Sequence, residues 1–155
     1  MTTKRDDTLI LETTKGKVVI AMRPDLAPNH VARINELVRD GFYDGVVFHR
    51  VIDGFMAQTG CPQGTGTGGS GQKLKAEFNR EPHVRGTVSM ARANNPDSGD
   101  SQFFICFDDA SFLNGKYTVW GKVTSGMEHV DKIKRGEPVS DPDKIVKAHM
   151  AKDAA

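Results

Sequence analysis

The sequence predicts a mainly β protein, a closed eight-stranded antiparallel β-barrel capped by two α-helices. Apolar runs of strand length, rich in β-branched and aromatic residues, occur about eight times, whereas apolar residues at helical spacing occur in two places. The 16 glycines among 155 residues indicate many turns. Strands do not alternate with helices and no segment repeats, which disfavours a parallel sheet. The length fits a single domain, 1–155.

The first elements are a hairpin and a helix. Apolar strands at 9–13 and 17–22 flank a short run of turn-forming residues. From 28 to 40 the apolar residues recur at three- and four-residue steps, and Gly41 closes the run. We therefore expect one amphipathic helix directly after the first hairpin.

A second hairpin is predicted where an Asp-Gly pair separates two apolar runs, and its register depends on the loop length. A two-residue turn pairs Arg50 with Ala57, whereas a three-residue loop pairs Arg50 with Gln58. The longer loop also places Ile52 opposite Met56. We favour the three-residue loop because it sets polar against polar and apolar against apolar.

The remaining chain alternates a long loop with further strands. The polar, glycine-rich segment 60–75 has no apolar periodicity and predicts a surface loop of the kind that often carries function. Apolar residues from Met127 to Lys134 predict a short second helix that ends at Gly136. The other strands are predicted at 84–91, 102–107, 117–123 and 145–150.

Charge and composition disfavour several classes of function. The 21 Lys and Arg residues balance 20 Asp and Glu residues, so no excess positive charge is available for nucleic acid or anionic lipid. No apolar run approaches the roughly 18 residues of a membrane span, and the first residues lack the apolar centre of a secretory signal. Cys61 and Cys106 fit reduced structural thiols. We expect a cytoplasmic protein without nucleic-acid or membrane partners.

Motifs for cofactor, metal or hydrolytic chemistry are weak. The run 64–69 matches G-x-G-x-x-G, but it lacks the preceding strand and following helix that a dinucleotide site requires. The five histidines are scattered singly, and the serines lack a nucleophile-elbow context. We therefore expect no metal and no cofactor.

The remaining candidate site consists of one cationic side chain among apolar and amide side chains. Its members are Arg50, Phe55, Met56, Gln58, Phe104 and Leu113. Taken singly, each has an ordinary role at the surface or in the core. Composition and spacing alone leave both interpretations open.

Five blocks of the sequence resemble the cyclophilins, which are peptidyl-prolyl cis-trans isomerases. In the order of that family they are FHRVIDGFMAQ at 48–58, GTGG at 66–69, SMARA at 89–93, SQFFI at 101–105 and LNGK at 113–116. The resemblance extends over about 8–147, nearly the whole chain. It implies the barrel with two capping helices, in agreement with the count of elements above.

The resemblance also implies an activity and a site. The activity is rotation about X-Pro bonds in unfolded or flexible proteins, without a cofactor, which assists their folding. The implied catalytic residues are Arg50, Phe55 and Gln58, with Arg50 facing the prolyl amide. The implied substrate-binding residues are Met56, Gly66, Ala91, Arg92, Ala93, Gln102, Phe104, Phe112, Leu113 and Tyr117.

Three departures from the family pattern bear on ligands. Phe112 stands where many cyclophilins carry Trp, so the indole N–H is missing and we expect weak binding of cyclosporin. Tyr117 replaces a common His and Arg92 a common Asn, which we expect to shift peptide preference. Together these departures resemble the bacterial-type cytoplasmic cyclophilins, and we expect a monomer.

Two alternative functions stay open from the sequence. The first is a binding or chaperone module of the same fold, which captures proline without turnover. The second is a scaffold whose partner binds elsewhere, for instance through the helix at 28–40 or the basic stretch 132–135.

Overall fold

The computed structural model describes residues 7–151, which contain eight β-strands, two α-helices and a short 3₁₀ helix at Ser111–Leu113. The helices are α1 (Pro28–Arg39), which follows β2, and α2 (Met127–Val130), which follows β7. The strands are β1 (Thr8–Thr13), β2 (Gly16–Met22), β3 (Arg50–Ile52), β4 (Met56–Thr59), β5 (Thr87–Met90), β6 (Phe103–Cys106), β7 (Val119–Ser125) and β8 (Ile145–Met150). The predicted mainly β class with two helices is confirmed.

The strands form one antiparallel sheet in the order β3-β4-β6-β5-β7-β2-β1-β8. Within residues 7–151 the end strands β3 and β8 share no ladder, so the predicted closed barrel is wrong and the sheet is an open, strongly curled half-barrel. The chain before β3 bonds instead to the chain that leads into β8: the Gly45 N–H donates to the Ile145 carbonyl, and the Phe48 N–H to the Asp143 carbonyl. A few separate backbone contacts therefore cross the seam in place of a ladder.

Helix α1 begins at the predicted residue and ends one residue before the predicted end. Pro28 occupies its first turn, where the fixed φ of proline suits a helix and the missing N–H costs nothing. Gly41 follows the last turn with φ of 75°, and its N–H donates to the Val38 carbonyl while the Phe42 N–H donates to the Leu37 carbonyl. This pair of bonds is a Schellman motif, which requires the left-handed conformation that glycine adopts readily.

The main hydrophobic core joins α1 to one face of the sheet. The buried apolar side chains of α1 are those at the predicted helical spacing: Val31, Ile34, Leu37 and Val38. Strand residues alternate between this core and the opposite face, because successive side chains of a strand point to opposite sides. In β6, for example, Phe103 and Ile105 belong to the main core, whereas Phe104 and Cys106 belong to a second, smaller cluster.

The second hairpin has the three-residue loop that we favoured. Arg50 pairs with Gln58 and Ile52 pairs with Met56. The Phe55 N–H donates to the Ile52 carbonyl at 3.0 Å, which closes the loop. This register prediction is confirmed, and it fixes which side chains of β3 and β4 share a face.

Helix α2 is shorter than predicted. It ends at Val130 rather than near Gly136. Beyond it the Lys132 N–H donates to the His129 carbonyl and the Ile133 N–H to the Val130 carbonyl. These three-residue steps are tighter than α-helical bonds, so the periodic apolar pattern continues in turns and not in a helix.

Candidate active site

Two adjoining cavities form a groove on the face of the sheet opposite the main core. The smaller, of about 120 Å³, is lined by Arg50, Phe55, Met56, Gln58, Ala91, Arg92, Phe104, Leu113 and Tyr117. The larger, of about 230 Å³, is lined by Gln58, Gly66, Thr67, Gly68, Gly69, Lys73, Ala91, Arg92, Ala93, Ser98, Asp100 and Gln102. The two share Gln58, Ala91 and Arg92 and therefore adjoin at these residues.

Strand register places the main polar and apolar side chains in one row. Arg50 of β3 pairs with Gln58 of β4, which pairs in turn with Phe104 of β6. Adjacent strands lie about 4.8 Å apart, so these three side chains share one face at that spacing. The hairpin loop length thus decides that the cation stands beside the aromatic floor.

The smaller cavity is an apolar pocket on the second hydrophobic cluster. Met56, Phe104 and Leu113 belong to this cluster, and Phe55 and Tyr117 pack against it. The rings of Phe104 and Tyr117 meet edge to face, with centroids 5.8 Å apart. The floor is therefore built from packed side chains before any ligand arrives.

Phe112 lies at the rim of this pocket. Its side chain is 64% exposed and its ring lies 5.5 Å from that of Phe55. It lines neither of the two cavities. Phe112 therefore does not line the pocket for a proline ring, but a longer ligand would contact it at the rim.

A chain of hydrogen bonds crosses the groove from the cation to the glycine-rich loop. Arg50 Nη1 donates to Gln58 Oε1 at 3.3 Å, and Gln58 Nε2 donates to Gln102 Oε1 at 2.9 Å. Gln102 Nε2 then donates to the carbonyls of Gly66 and Gly68, both at 2.9 Å. Each amide is oriented by its neighbours, so the polar floor is ordered from end to end.

Arg92 forms part of the far wall. Its guanidinium lies 4.6 Å from the centre of the Tyr117 ring and donates to the Lys116 and Ala93 carbonyls at 2.8–3.0 Å. The side chain is thus held against the protein, and Ala91 beside it leaves room for a ligand backbone.

The glycine-rich loop is organised around Cys61. The N–H groups of Gly66 and Gly68 both donate to Cys61 Sγ at 3.3 Å. Burial raises the pKa of the thiol, but these and neighbouring backbone N–H groups outweigh that effect and lower it to about 7. The loop that carries Gly66 therefore wraps a sulfur that becomes negative near neutral pH.

Several residues of the site were not predicted from the sequence. His83 is fully buried behind the pocket, with its ring stacked 6.1 Å from Phe104 and its Nε2 2.9 Å from Ser89 Oγ. Burial lowers its pKa and so keeps it neutral at pH 7. Glu137 bonds to Arg50 from 87 residues away. No local sequence pattern predicts the contacts of His83 or Glu137. For the backbone N–H groups that surround Cys61, the run of glycines after it was the available sequence signal.

Metal-binding clusters and membrane-spanning helices are absent from residues 7–151. Among residues 7–151, no three His, Cys, Asp or Glu side chains are grouped so that they could hold a metal ion. In that same part of the chain, no helix has the length and apolar character needed to cross a membrane.

Comparison with known proteins identifies the family. Residues 8–150 match the family model of the cyclophilin-type peptidyl-prolyl cis-trans isomerases. A probable peptidyl-prolyl cis-trans isomerase of Brucella suis is 56% identical, over 96% of this chain and 84% of that protein. Peptidyl-prolyl cis-trans isomerase B of Bacillus subtilis is 48% identical, over 79% of this chain and 86% of its own length.

Solved structures agree with the sequence relatives. The cyclophilin AquaCyp293 of Hirschia baltica has a TM-score of 0.92 and 34% identity, covering 100% of this chain and 77% of that one. A cyclophilin-type isomerase of Cryptosporidium parvum, crystallised in the presence of the dipeptide Ala-Pro, has a TM-score of 0.86 and 28% identity, covering 92% of this chain and 98% of that one.

The chain belongs to the cyclophilin-type peptidyl-prolyl cis-trans isomerases. Its activity is the cis-trans isomerisation of X-Pro peptide bonds.

Proposed function

We propose that Arg50 accelerates this isomerisation by donating a hydrogen bond to the prolyl nitrogen of the half-rotated peptide bond. Amide resonance opposes rotation with a barrier of roughly 18–20 kcal/mol, and the uncatalysed reaction takes tens of seconds. At half rotation resonance is lost and the nitrogen becomes a hydrogen-bond acceptor. A donor held there stabilises the transition state more than the ground state.

The observation that carries the proposal is the position of Arg50 at the wall of an apolar pocket. Phe55 and Phe104 line the same cavity, and the Arg50 side chain is 41% exposed. A peptide that covers the guanidinium excludes water from it and strengthens the hydrogen bond. An arginine side chain stays charged at any ordinary pH, so the donor is always available.

The required stabilisation is within reach of this arrangement. Raising the rate about a thousandfold takes about 4 kcal/mol. Loss of one oxyanion-hole donor in other enzymes costs about 2.7–4 kcal/mol, and orientation of the substrate adds to the contribution of such a donor. No general acid or base is needed because no bond to hydrogen is broken.

The substrates we propose are exposed X-Pro segments of unfolded or flexible proteins. The proline ring fits the apolar pocket over Met56 and Leu113, while Gln58 and Gln102 lie beside the path of the flanking backbone. The groove is open at the surface, which suits an extended chain. Small residues such as Ala91 allow the peptide backbone to come close.

The test compares the native chain with Arg50→Ala in an exchange NMR assay of a short X-Pro peptide. We expect the turnover to fall about a hundredfold, while peptide affinity changes by only a fewfold because the apolar pocket remains. Arg85→Ala is the matched control, since Arg85 is an exposed arginine in an ion pair with Asp131 and lines neither cavity. An Arg50→Ala protein that is folded and turns over at the native rate contradicts the proposal.

We further propose weak cyclosporin binding and a cytoplasmic monomer. Phe112 offers no N–H donor to the drug. Three large apolar side chains are exposed among residues 7–151, namely Phe78, Phe112 and Val146, few for a stable protein interface. Cys61 and Cys106 are free thiols, which suits a reducing compartment. Sedimentation at the mass of a dimer, or fractionation with the cell envelope, would overturn these assignments.

A further inference from the structure

Glu137 is held beside Arg50 by the backbone on both of its sides. Gly136, which precedes it, exchanges two hydrogen bonds of 2.8 Å with Val51, the residue after Arg50. Val139, just beyond it, donates its N–H at 3.2 Å to the carbonyl of His49, the residue before Arg50. The segment therefore runs along β3 and presents Glu137 next to Arg50 from a fixed position.

The tight path of this segment depends on glycine. Gly136 has φ of 153°, and a Cβ placed there would lie 2.8 Å from the Val139 Cα and 2.9 Å from the Pro138 carbonyl oxygen. A side chain at this position would clash with Pro138 and Val139 of the same segment and disturb the turn that carries Glu137. The backbone therefore fixes the position of Glu137 beside Arg50, and the ion pair does not depend on the two flexible side chains alone.

The contact orients the guanidinium. Arg50 Nε donates to Glu137 Oε2 at 2.5 Å, and Nη1 donates to Gln58 Oε1 at 3.3 Å. Two bonds to two nitrogens of a planar group define its plane. The third nitrogen, Nη2, makes no hydrogen bond within residues 7–151 and is the one left for the substrate.

Stability does not explain this ion pair. The Arg50 and Glu137 side chains are 41% and 57% exposed, and exposed pairs contribute little to folding. Because water screens the two charges, the Glu137 carboxylate hardly weakens the guanidinium as a hydrogen-bond donor. The main effect of the ion pair is therefore to restrict the conformations of the Arg50 side chain.

We infer that Glu137 is a positioning residue for catalysis, which holds the Arg50 guanidinium so that Nη2 meets the prolyl nitrogen at the transition state. The inference rests on the role proposed above for Arg50. It assigns no contact between Glu137 and the substrate. Misplacement of a reacting group by about 1 Å is enough to lower a rate by up to a hundredfold.

The test separates turnover from binding in Glu137→Ala and Glu137→Gln. For Glu137→Ala we expect kcat for an X-Pro peptide to fall about tenfold, with peptide Kd and the unfolding midpoint unchanged. Glu137→Gln should lose less, because the amide oxygen still accepts from Nε. The matched control is Asp131→Ala, which removes another exposed carboxylate from an arginine, Arg85, and should leave kcat at the native value.

A second readout reports on Arg50 directly. The Nε–H proton resonance of Arg50 should shift and exchange faster with water in Glu137→Ala, since its acceptor is gone. Native kcat in Glu137→Ala, or an unchanged Nε–H resonance, overturns the inference. If Arg50→Ala is itself fully active, the proposed function fails; if Arg50→Ala is impaired and Glu137→Ala is not, only the role of Glu137 fails.

Discussion

Gln102→Glu is the substitution that most sharply tests the hydrogen-bond chain across the groove. The two side chains have nearly the same shape, but a carboxylate has no N–H to donate. The change removes both bonds from Gln102 Nε2 to the carbonyls of Gly66 and Gly68. It keeps an acceptor for Gln58 Nε2, which lies 2.9 Å from Gln102 Oε1. The loop end of the chain is therefore broken while the Arg50 end is preserved.

The expected size follows from the count of bonds. Each lost hydrogen bond costs about 1 kcal/mol, so the ordered form of the loop loses about 2 kcal/mol before repulsion between the carboxylate and the carbonyls is added. About 2 kcal/mol corresponds to roughly thirtyfold in an equilibrium constant. Because the loop forms one wall of the larger cavity, we expect peptide Kd to rise by up to about thirtyfold, the full factor applying when the loop of the variant is mostly disordered. The kcat for bound peptide should change less than threefold.

Exchange NMR at saturating and subsaturating peptide measures both quantities, and amide hydrogen exchange reports on the loop itself. Gln72→Glu is the matched control, because it adds the same charge to the same loop without lining either cavity. Native affinity in Gln102→Glu would refute the argument, as would unchanged amide exchange at Gly66 and Gly68.

Two further predictions concern Cys61 and Phe112. The folded-state pKa of Cys61, about 7, lies below the ordinary thiol value of 9.0, so ionisation adds stability that is fully present above pH 9 and is lost as the pH falls through 7. Urea unfolding should therefore show a larger deficit for Cys61→Ser at pH 9 than at pH 6; an equal deficit at both contradicts a stabilised thiolate. Phe112→Trp restores an indole N–H at the rim and should tighten cyclosporin binding about fivefold to tenfold, as measured by calorimetry. Unchanged affinity would mean that the missing donor does not limit the drug.

Much of the sheet and the floor of the site follows from local patterns. The second hairpin was predictable because one register alone sets Arg50 opposite Gln58 and keeps the apolar pair together. Helix α1 was predictable because its apolar spacing is bounded by a proline and a glycine. In both cases the signal lies within a dozen residues, where physical preferences act on neighbours in the chain.

Closure of the sheet and the outer contacts of the site were not predictable in this way. A count of strands does not say whether the first and last will pair, and here the chain before β3 bonds to 143–145 as single contacts. The partner of Arg50 comes from a turn after α2, and the ring behind Phe104 comes from the stretch before β5. Such contacts depend on the path of the whole chain.

Different parts of the groove determine peptide affinity and turnover. Arg50, Gln58 and Phe104 stand on three adjacent strands and keep their spacing through backbone ladders. The opposite wall is a loop without strands, held by Gln102 and by the sulfur of Cys61. A substitution that disorders the loop should weaken peptide binding and leave kcat nearly unchanged. A substitution that frees the Arg50 side chain should lower kcat and leave peptide binding nearly unchanged. Gln102→Glu and Glu137→Ala should therefore fail in opposite ways, and two variants with the same pattern of loss would show that the groove acts as one unit.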